Sequence, residues 1–345
     1  MTWDEETGGI LLTETQQGGI EGSLRPVFHE ELDLLGFKER WRYPRGEAPL
    51  LWAAERRYYY CGRLVAEAKG GNFFEAPQIT YFVESLTLQP VDVPEMIRRN
   101  ASLMEGLTHR AIEFVHHQYE AYRSKVDAVT VAFSGGKDSL VVLDLVQRAL
   151  PPDSFVVVFS DTTMELSSTY EAVERAKQRW PQLRFHTAHS TIPAPQSWRL
   201  FGPPSRLHRW CCTVHKTAPN HLVAREITGK PSVLAVVFDG VRWEESEKRA
   251  TYLPVTERRK HFTQINASPI IAWNSGEVYI YTFERDLLLN KGYRTGLSRV
   301  GCCVCPFGSK WGEAVLGAAH RSDIASLLSE LEAYASTQEI PHGST

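Results

Sequence analysis

Ala128 to Phe133 (AVTVAF) is almost wholly apolar and only six residues long. It runs through Ser134-Gly135-Gly136-Lys137-Asp138-Ser139 into a helical pattern, Leu140 to Leu150. A strand with no polar face must be covered on both sides, and crossover helices are the elements that cover it. The alternation then repeats. Ser154 to Ser160 (SFVVVFS) reads as a second buried strand, Ser168 to Trp180 as a helix, Phe185 to Thr187 as a third strand and Ser232 to Phe238 (SVLAVVF) as a fourth. This order predicts an α/β fold, a doubly wound and mainly parallel sheet with helices on both faces. Ligands of such sheets bind beyond the carboxyl ends of the strands. The segments after the first, second and fourth strands are therefore where chemistry is expected.

The first 95 residues have a different texture. Leu51 to Ala68 reads as two strands joined at Cys61-Gly62, and Thr80 to Thr87 as another. Trp41, Trp52, Tyr58, Tyr59 and Tyr60 suit half-buried sheet positions. The expected organisation is a small β-rich N-terminal domain over 1–95, a linker marked by Pro90 and Pro94, and a nucleotide-binding domain over 96–310 that opens with a helix to about Ser124. A C-terminal helical segment follows over 311–345. With 43% hydrophobic and 23% charged residues in 345, the chain can bury a core, which excludes disorder as its main state. No apolar run is long enough to span a membrane, so no membrane partner is expected. Thr2-Trp3-Asp4-Glu5-Glu6 lacks the basic and apolar regions of a signal peptide, so the expected location is cytoplasmic, where the six cysteines should not be disulfides. With 38 basic against 41 acidic residues, any nucleic-acid contact has to come from a local basic patch.

In the loop after the first strand, Gly135 and Gly136 let the backbone approach an anion. The following helix start offers free N–H groups, Lys137 a charge, and Ser134 and Ser139 hydroxyl donors. The glycine–lysine spacing is too short for a Walker loop. Asp161 and Glu165 follow the second strand, where an acid can take a ribose hydroxyl or Mg2+; the plain alternative is a capping box, Ser167 or Ser168 with Glu171. Arg242 and Arg249 follow the fourth strand and suit phosphate contacts, or else a salt-bridged helix start among Glu244 and Glu245.

The cysteines come in groups: Cys61 alone, the pair Cys211-Cys212, and Cys302, Cys303 and Cys305. A CC pair with a distant CxxC offers four thiolates, enough for a [4Fe–4S] cluster or a zinc ion. Adjacent cysteines are awkward around one small tetrahedral ion and easier to place on two irons of a cube.

SGGKDS between a strand and a helix resembles the phosphate loop of the PP-loop ATP pyrophosphatases, whose sheet is of the adenine nucleotide alpha hydrolase type. The later segments DTTMEL, CC…HK, GVR…E…R and CxxC resemble, in the same order, the phosphoadenosine phosphosulfate reductase branch of that superfamily, over about residues 128 to 310. That resemblance implies ATP with Mg2+ at residues 134–139, helped by Asp161, Arg242 and Arg249. Lys137, Asp138 and Arg242 would be closest to the chemistry. It also implies a [4Fe–4S] cluster on Cys211, Cys212, Cys302 and Cys305, with Cys303 either a substitute ligand or a free thiol. Reductases of the branch use a cysteine near the carboxyl terminus, and none follows Cys305 here. The GCCVCPF segment and the extra β region look closer to the Dnd/Ssp-type DNA phosphorothioation proteins. The expected function is therefore an ATP pyrophosphatase that adenylylates a phosphate, with DNA as acceptor and a cysteine desulfurase as sulfur donor. Phosphosulfate reduction is the alternative, and a non-catalytic iron–sulfur nucleotide-binding subunit the second. Arg206, His208, Arg209, the run Arg258-Arg259-Lys260-His261, Lys291, Arg294, Arg299 and Lys310 are the cations that could face DNA. The oligomeric state is not legible.

Overall fold

The computed structural model describes residues 1–13, 20, 22–257 and 263–337. The chain begins with an antiparallel pair, β1 (Thr2–Asp4) and β2 (Gly9–Leu11). There follow β3 (Leu24–Val27), α1 (His29–Leu34), β4 (Trp41–Arg42), β5 (Leu51–Ala54), β6 (Arg57–Tyr60), β7 (Arg63–Lys69), β8 (Gln78–Tyr81) and β9 (Leu86–Thr87). Five of these strands form an antiparallel sheet in the order β3-β5-β6-β7-β8, and β4 pairs with β9. Leu51 to Ala68 thus holds three strands rather than two. The missed turn is at Glu55-Arg56, where Glu55 takes a positive φ of 54° without a glycine to advertise it. At the expected turn both Cys61 (φ 45°) and Gly62 (φ 78°) are left-handed, the geometry that tight hairpins favour.

Helix α2 (Val93–Tyr122) carries Pro94 in its first turn, where the missing N–H costs nothing, so that proline starts the helix rather than marking a linker. Asp92 caps it by accepting from the Glu95 N–H at 3.0 Å. Its buried residues Met96, Asn100, Met104, Ala111 and Val115 recur at helical spacing. Asn100 binds the β2 backbone, accepting from Leu12 N–H at 2.7 Å and donating to Ile10 C=O at 2.9 Å.

The remaining elements are β10 (Ala128–Phe133), α3 (Lys137–Ala149), β11 (Val156–Asp161), α4 (Ser167–Arg179), β12 (Phe185–His189), α5 (Ala194–Phe201), α6 (Trp210–Cys212), α7 (Ala218–Thr228), β13 (Ala235–Phe238), α8 (Glu247–Ala250), β14 (Val255–Glu257), β15 (Gln264–Ala267), α9 (Ser275–Glu284), α10 (Lys291–Arg294), α11 (Lys310–Ala319) and α12 (Arg321–Thr337). Six strands form one sheet in the order β12-β11-β10-β13-β15-β14, parallel except for β14. This is the mainly parallel α/β sheet expected, with an antiparallel N-terminal region beside it. Alternate residues separate the two faces. Val129, Val131, Phe133, Val157 and Phe159 pack in one core with residues of α2, α3, α4 and α9, whereas Val156 and Val158 pack with Val223 of α7. Ile10, Leu24, Trp52 and Ala54 belong to the first of these cores, so apolar packing is continuous across the two regions.

Candidate active site

Strand β10 has β11 on one side and β13 on the other, so its carboxyl end is where the chain order reverses, the usual crevice in an open parallel sheet. Residues 134–139 sit there. Gly135 has φ +69°, and a Cβ on it would lie 2.9 Å from Thr169 Cγ2. Gly136, in extended conformation, caps α3, which begins at Lys137 rather than at Leu140. Ser139 Oγ donates to Gly136 C=O (2.9 Å) and accepts from Ser134 N–H (3.1 Å), which draws the loop into a closed turn. Gly240, just after β13, comes so near that a Cβ on it would meet the Asp138 carbonyl carbon at 2.8 Å.

Lys137 of the loop and Arg242, beyond β13, are both buried. Lys137 is 4% exposed and Arg242 2%. Lys137 Nζ lies 2.7 Å from Asp138 Oδ2 and 5.7 Å from the ring centres of Tyr279 and Tyr293. Arg242 Nε meets Asp138 Oδ1 at 2.7 Å, and its Nη1 meets Glu244 at 2.6 Å and donates to Trp273 C=O at 3.2 Å. Burial alone would raise the Asp138 pKa, but the two cations outweigh it and hold the carboxyl below its usual range. Arg242 therefore reaches the loop through Asp138. Arg249 pairs with Glu245, as in a salt-bridged turn.

At the end of β11, Asp161 Oδ1 accepts from Thr163 N–H and from Tyr170 OH, both at 2.8 Å. The capping-box alternative is not realised. Leu166 is the N-cap of α4 without a side-chain bond, while Ser167 contacts Asp323 and Ser168 donates to Asn290. Thr163 has a positive φ of 58°, an uncommon conformation for a β-branched residue. Thr162 and Glu165, both buried, bond to each other at 2.8 Å. Burial raises the Glu165 pKa, and its Oε2 has no hydrogen-bond partner.

The second cysteine group meets this loop. Cys302 Sγ donates to Thr162 Oγ1 at 3.5 Å, and Cys303 N–H to Met164 C=O at 2.7 Å. Cys211 and Cys212 lie in α6, which passes into a single π-type turn, Thr213–Thr217, a local widening often found at functional sites. Cys211 lies within electrostatic reach of Cys212, Cys302 and Cys305. The hydrogen bond between the adjacent pair raises the Cys211 pKa and lowers that of Cys212, which the Arg209 guanidinium, 3.7 Å from Cys212 Sγ, and Lys216 also lower. Burial lowers the Lys216 pKa, but Cys302 and Glu165 raise it on balance. Cys303 is buried, and its thiol is pushed up by that burial. Among the described residues no group of three or more His, Cys, Asp or Glu side chains is arranged to hold a metal ion. Cys61 lies in the N-terminal hairpin turn.

Several of the expected basic residues are committed elsewhere. Lys291 pairs with Glu171, Arg294 with Glu30 and Glu47, and Lys310 with Glu313. Arg206 donates to Pro306 C=O, and Arg209 lies 4.2 Å above the Phe307 ring. Arg258 to His261 fall outside the described residues. His215 is buried, with Nε2 2.9 Å from Ser197 Oγ. Two loop partners escaped sequence reasoning. Tyr293 OH accepts from the Lys137 N–H at 3.0 Å, and Asn290 Nδ2 donates to Thr169 Oγ1 at 3.1 Å and Gly135 C=O at 3.4 Å. Both sit over 150 residues from the loop, with no motif to announce them.

No described helix is long and apolar enough to cross a membrane. Residues 128–307 match the phosphoadenosine phosphosulfate reductase domain family. An uncharacterised protein of Methanocaldococcus jannaschii is 35% identical over 215 residues, 61% of this chain and 42% of that one. Adenosine 5′-phosphosulfate reductase of Anoxybacillus flavithermus is 28% identical over 191 residues, 54% of this chain and 75% of that one. The chain spans 42% and 50% of the length of two archaeal relatives. A crystal structure of phosphoadenylyl-sulfate reductase from Candida auris, in complex with phosphate, aligns at 16% identity and TM-score 0.42 over 58% of this chain and 93% of that one.

Proposed function

The chain belongs to the phosphoadenosine phosphosulfate reductase domain family, and from that premise we propose that it is an ATP pyrophosphatase that activates a phosphate for sulfur insertion. The observation that carries this reading is the shared edge. The phosphate-type loop leaves β10 and the 160–165 segment leaves the neighbouring β11, and the second cysteine group touches that segment at Thr162 and Met164. ATP would enter as its Mg2+ complex with its phosphates over residues 134–139, where the helix start and serine hydroxyls favour anions. Asp161, at the neighbouring strand end, is our candidate for the ribose or the metal. An oxygen of the acceptor phosphate attacks the α-phosphorus, the bond to the β-phosphate bridge breaks, and pyrophosphate leaves. Hydrosulfide then attacks the activated acceptor phosphorus and AMP leaves with the bonding pair. The sequence is redox-neutral once a thiol reductant has freed hydrosulfide from a desulfurase persulfide. DNA is the acceptor we assign, with Arg206 and Arg209 beside the thiols.

Cys211, Cys212, Cys302 and Cys305 suit a [4Fe–4S] cluster as a donor set. Cys211 is in electrostatic reach of the other three, and Lys216 and Arg209 offset thiolate charge; the four would have to draw together around the cluster, since their side chains are not gathered as a ligand set. Bound there, the cluster would supply a polarisable iron–sulfur surface beside the transferred sulfur. Phosphosulfate reduction is the second reading, favoured by the relatives named adenosine 5′-phosphosulfate reductase.

The test uses anaerobically purified protein. DNA-dependent pyrophosphate release from ATP, without sulfite from adenosine phosphosulfate or its 3′-phosphorylated form plus a thioredoxin system, supports sulfur transfer. Robust sulfite formation moves the assignment to the reductase. ATP binding with neither product leaves a non-catalytic subunit.

A further inference from the structure

The N-terminal sheet carries a buried ion pair that no part of the proposed chemistry uses. Glu31 of α1 is 0% exposed and Arg25 of β3 3%. Arg25 grips Glu31 with both terminal nitrogens, Nη2 at 2.7 Å from Oε1, and Tyr58 OH donates to the same oxygen at 2.7 Å. Such a pair is expensive to desolvate and seldom a net source of stability, so its placement calls for another explanation.

Glu31 abuts the turn that follows α10. A Cβ on Gly296, whose φ is +106°, would stand 2.8 Å from Glu31 Cδ. Trp311 Nε1 holds the same glycine through its C=O at 2.7 Å, and Arg25 lies 5.5 Å from the Trp311 ring centre. His320 Nε2 adds a bond to Thr295 Oγ1 at 2.9 Å. The 290–296 segment is thus clamped from two regions of the chain. From it, Tyr293 takes the Lys137 N–H, the first amide of α3, and its hydroxyl stands where a Cβ on Gly136 would come within 3.0 Å. Asn290 holds Gly135 C=O from the same segment.

On the phosphate-loop reading of residues 134–139, we infer that Tyr293 is a positioning residue for the nucleotide phosphates, and that the Arg25–Glu31 pair sets Tyr293. By holding the Lys137 amide from beneath, Tyr293 fixes the start of α3 and directs the remaining loop donors outward. The N-terminal sheet is in this sense part of the nucleotide site.

Tyr293→Phe keeps the ring packing and removes only the acceptor oxygen. In the full-length protein it should bind ATP and inorganic pyrophosphate about tenfold more weakly. Hydrogen exchange should speed up in the peptide carrying Lys137 while that of β11 stays unchanged. Arg25→Met with Glu31→Gln, which removes both charges together, should give the same signature. Adding Tyr293→Phe to it should weaken binding no further, because the two act in series. A folded Tyr293→Phe with wild-type affinity and wild-type exchange at Lys137 overturns the inference, as does full additivity. Should the Arg25/Glu31 variant fail to fold, Tyr293→Phe alone decides. If the wild-type protein binds neither ATP nor pyrophosphate, the nucleotide reading fails, and the exchange measurement still tests whether Tyr293 holds the loop.

Discussion

Gly240 has no room for a side chain: its nearest neighbours are the Asp138 carbonyl group and the Ser139 nitrogen, all backbone atoms of the loop. Neither side can yield without moving β13 or α3. Gly240→Ala should therefore lower stability by roughly 1–3 kcal/mol and weaken ATP binding with it, as read by denaturant melts and calorimetry. Lys137 is a different case. At a helix start facing phosphate its loss would cost little stability, but it is buried against Asp138 and two tyrosine rings, so Lys137→Ala should also destabilise. Asp138 lies between Lys137 and Arg242 with its pKa lowered in the fold. A lowered carboxylate contributes stability above the unfolded pKa of about 3.9 and loses it as pH falls through the folded value. The wild-type melting temperature should thus fall below about pH 4. Asp138→Asn should be several kcal/mol, about 3–5, less stable at neutral pH and show a shallower acid limb in melts from pH 2 to 7.

At the scale of elements, the thiols come from two short pieces: α6 with its π turn, tied to β11 through Asn220, which donates to Lys216 C=O and Ser160 Oγ, and the 301–305 loop, tied to Met164 just beyond β11. Cys212 ends the one-turn helix α6, and its neighbours are Cys211, Arg209 and Lys216. Cys212→Ser should abolish stoichiometric iron and sulfide in anaerobic preparations, whereas Cys61→Ser, on a remote hairpin turn, should leave them unchanged. Zinc without iron in the wild-type protein would remove the cluster. Cys303, buried and engaged through its backbone with Met164, suits packing better than ligation. Cys303→Ser should retain iron.

At the scale of the whole molecule, the N-terminal region and the parallel sheet share apolar packing. Ile10, Leu24 and Trp52 lie in one cluster with Met96, Val141 and Tyr279, and Ser275 Oγ donates to Leu24 C=O at 2.6 Å. Removing residues 1–90 would expose this surface together with the bed of the 290–296 turn. The remaining chain should lose its cooperative thermal transition and aggregate, which light scattering during a melt would detect. A soluble fragment that melts cooperatively and binds ATP would show that the parallel sheet stands alone.

The sequence by itself marked β10, β11 and β13, because strands buried on both faces write their length as apolar runs: AVTVAF is β10 to the residue; it did not mark β14 and β15, whose residues (VTE and QINA) carry no such run. It also marked the loop and the cysteine groups, since glycine and cysteine are chosen for local geometry and reactivity. It could not register the turn at Glu55, where no glycine marks the left-handed residue, nor the burial of Lys137 and Arg242, whose charges suggested an open phosphate site. Charge and exposure separate only when partners are known, and Tyr279 reaches Lys137, and Asp138 and Trp273 reach Arg242, from distant parts of the chain. Tertiary structure alone decided that Tyr293 and Asn290 meet the loop and that Glu31, held by Arg25, abuts the turn that carries them, because these contacts close only after two sheets have packed on a common core.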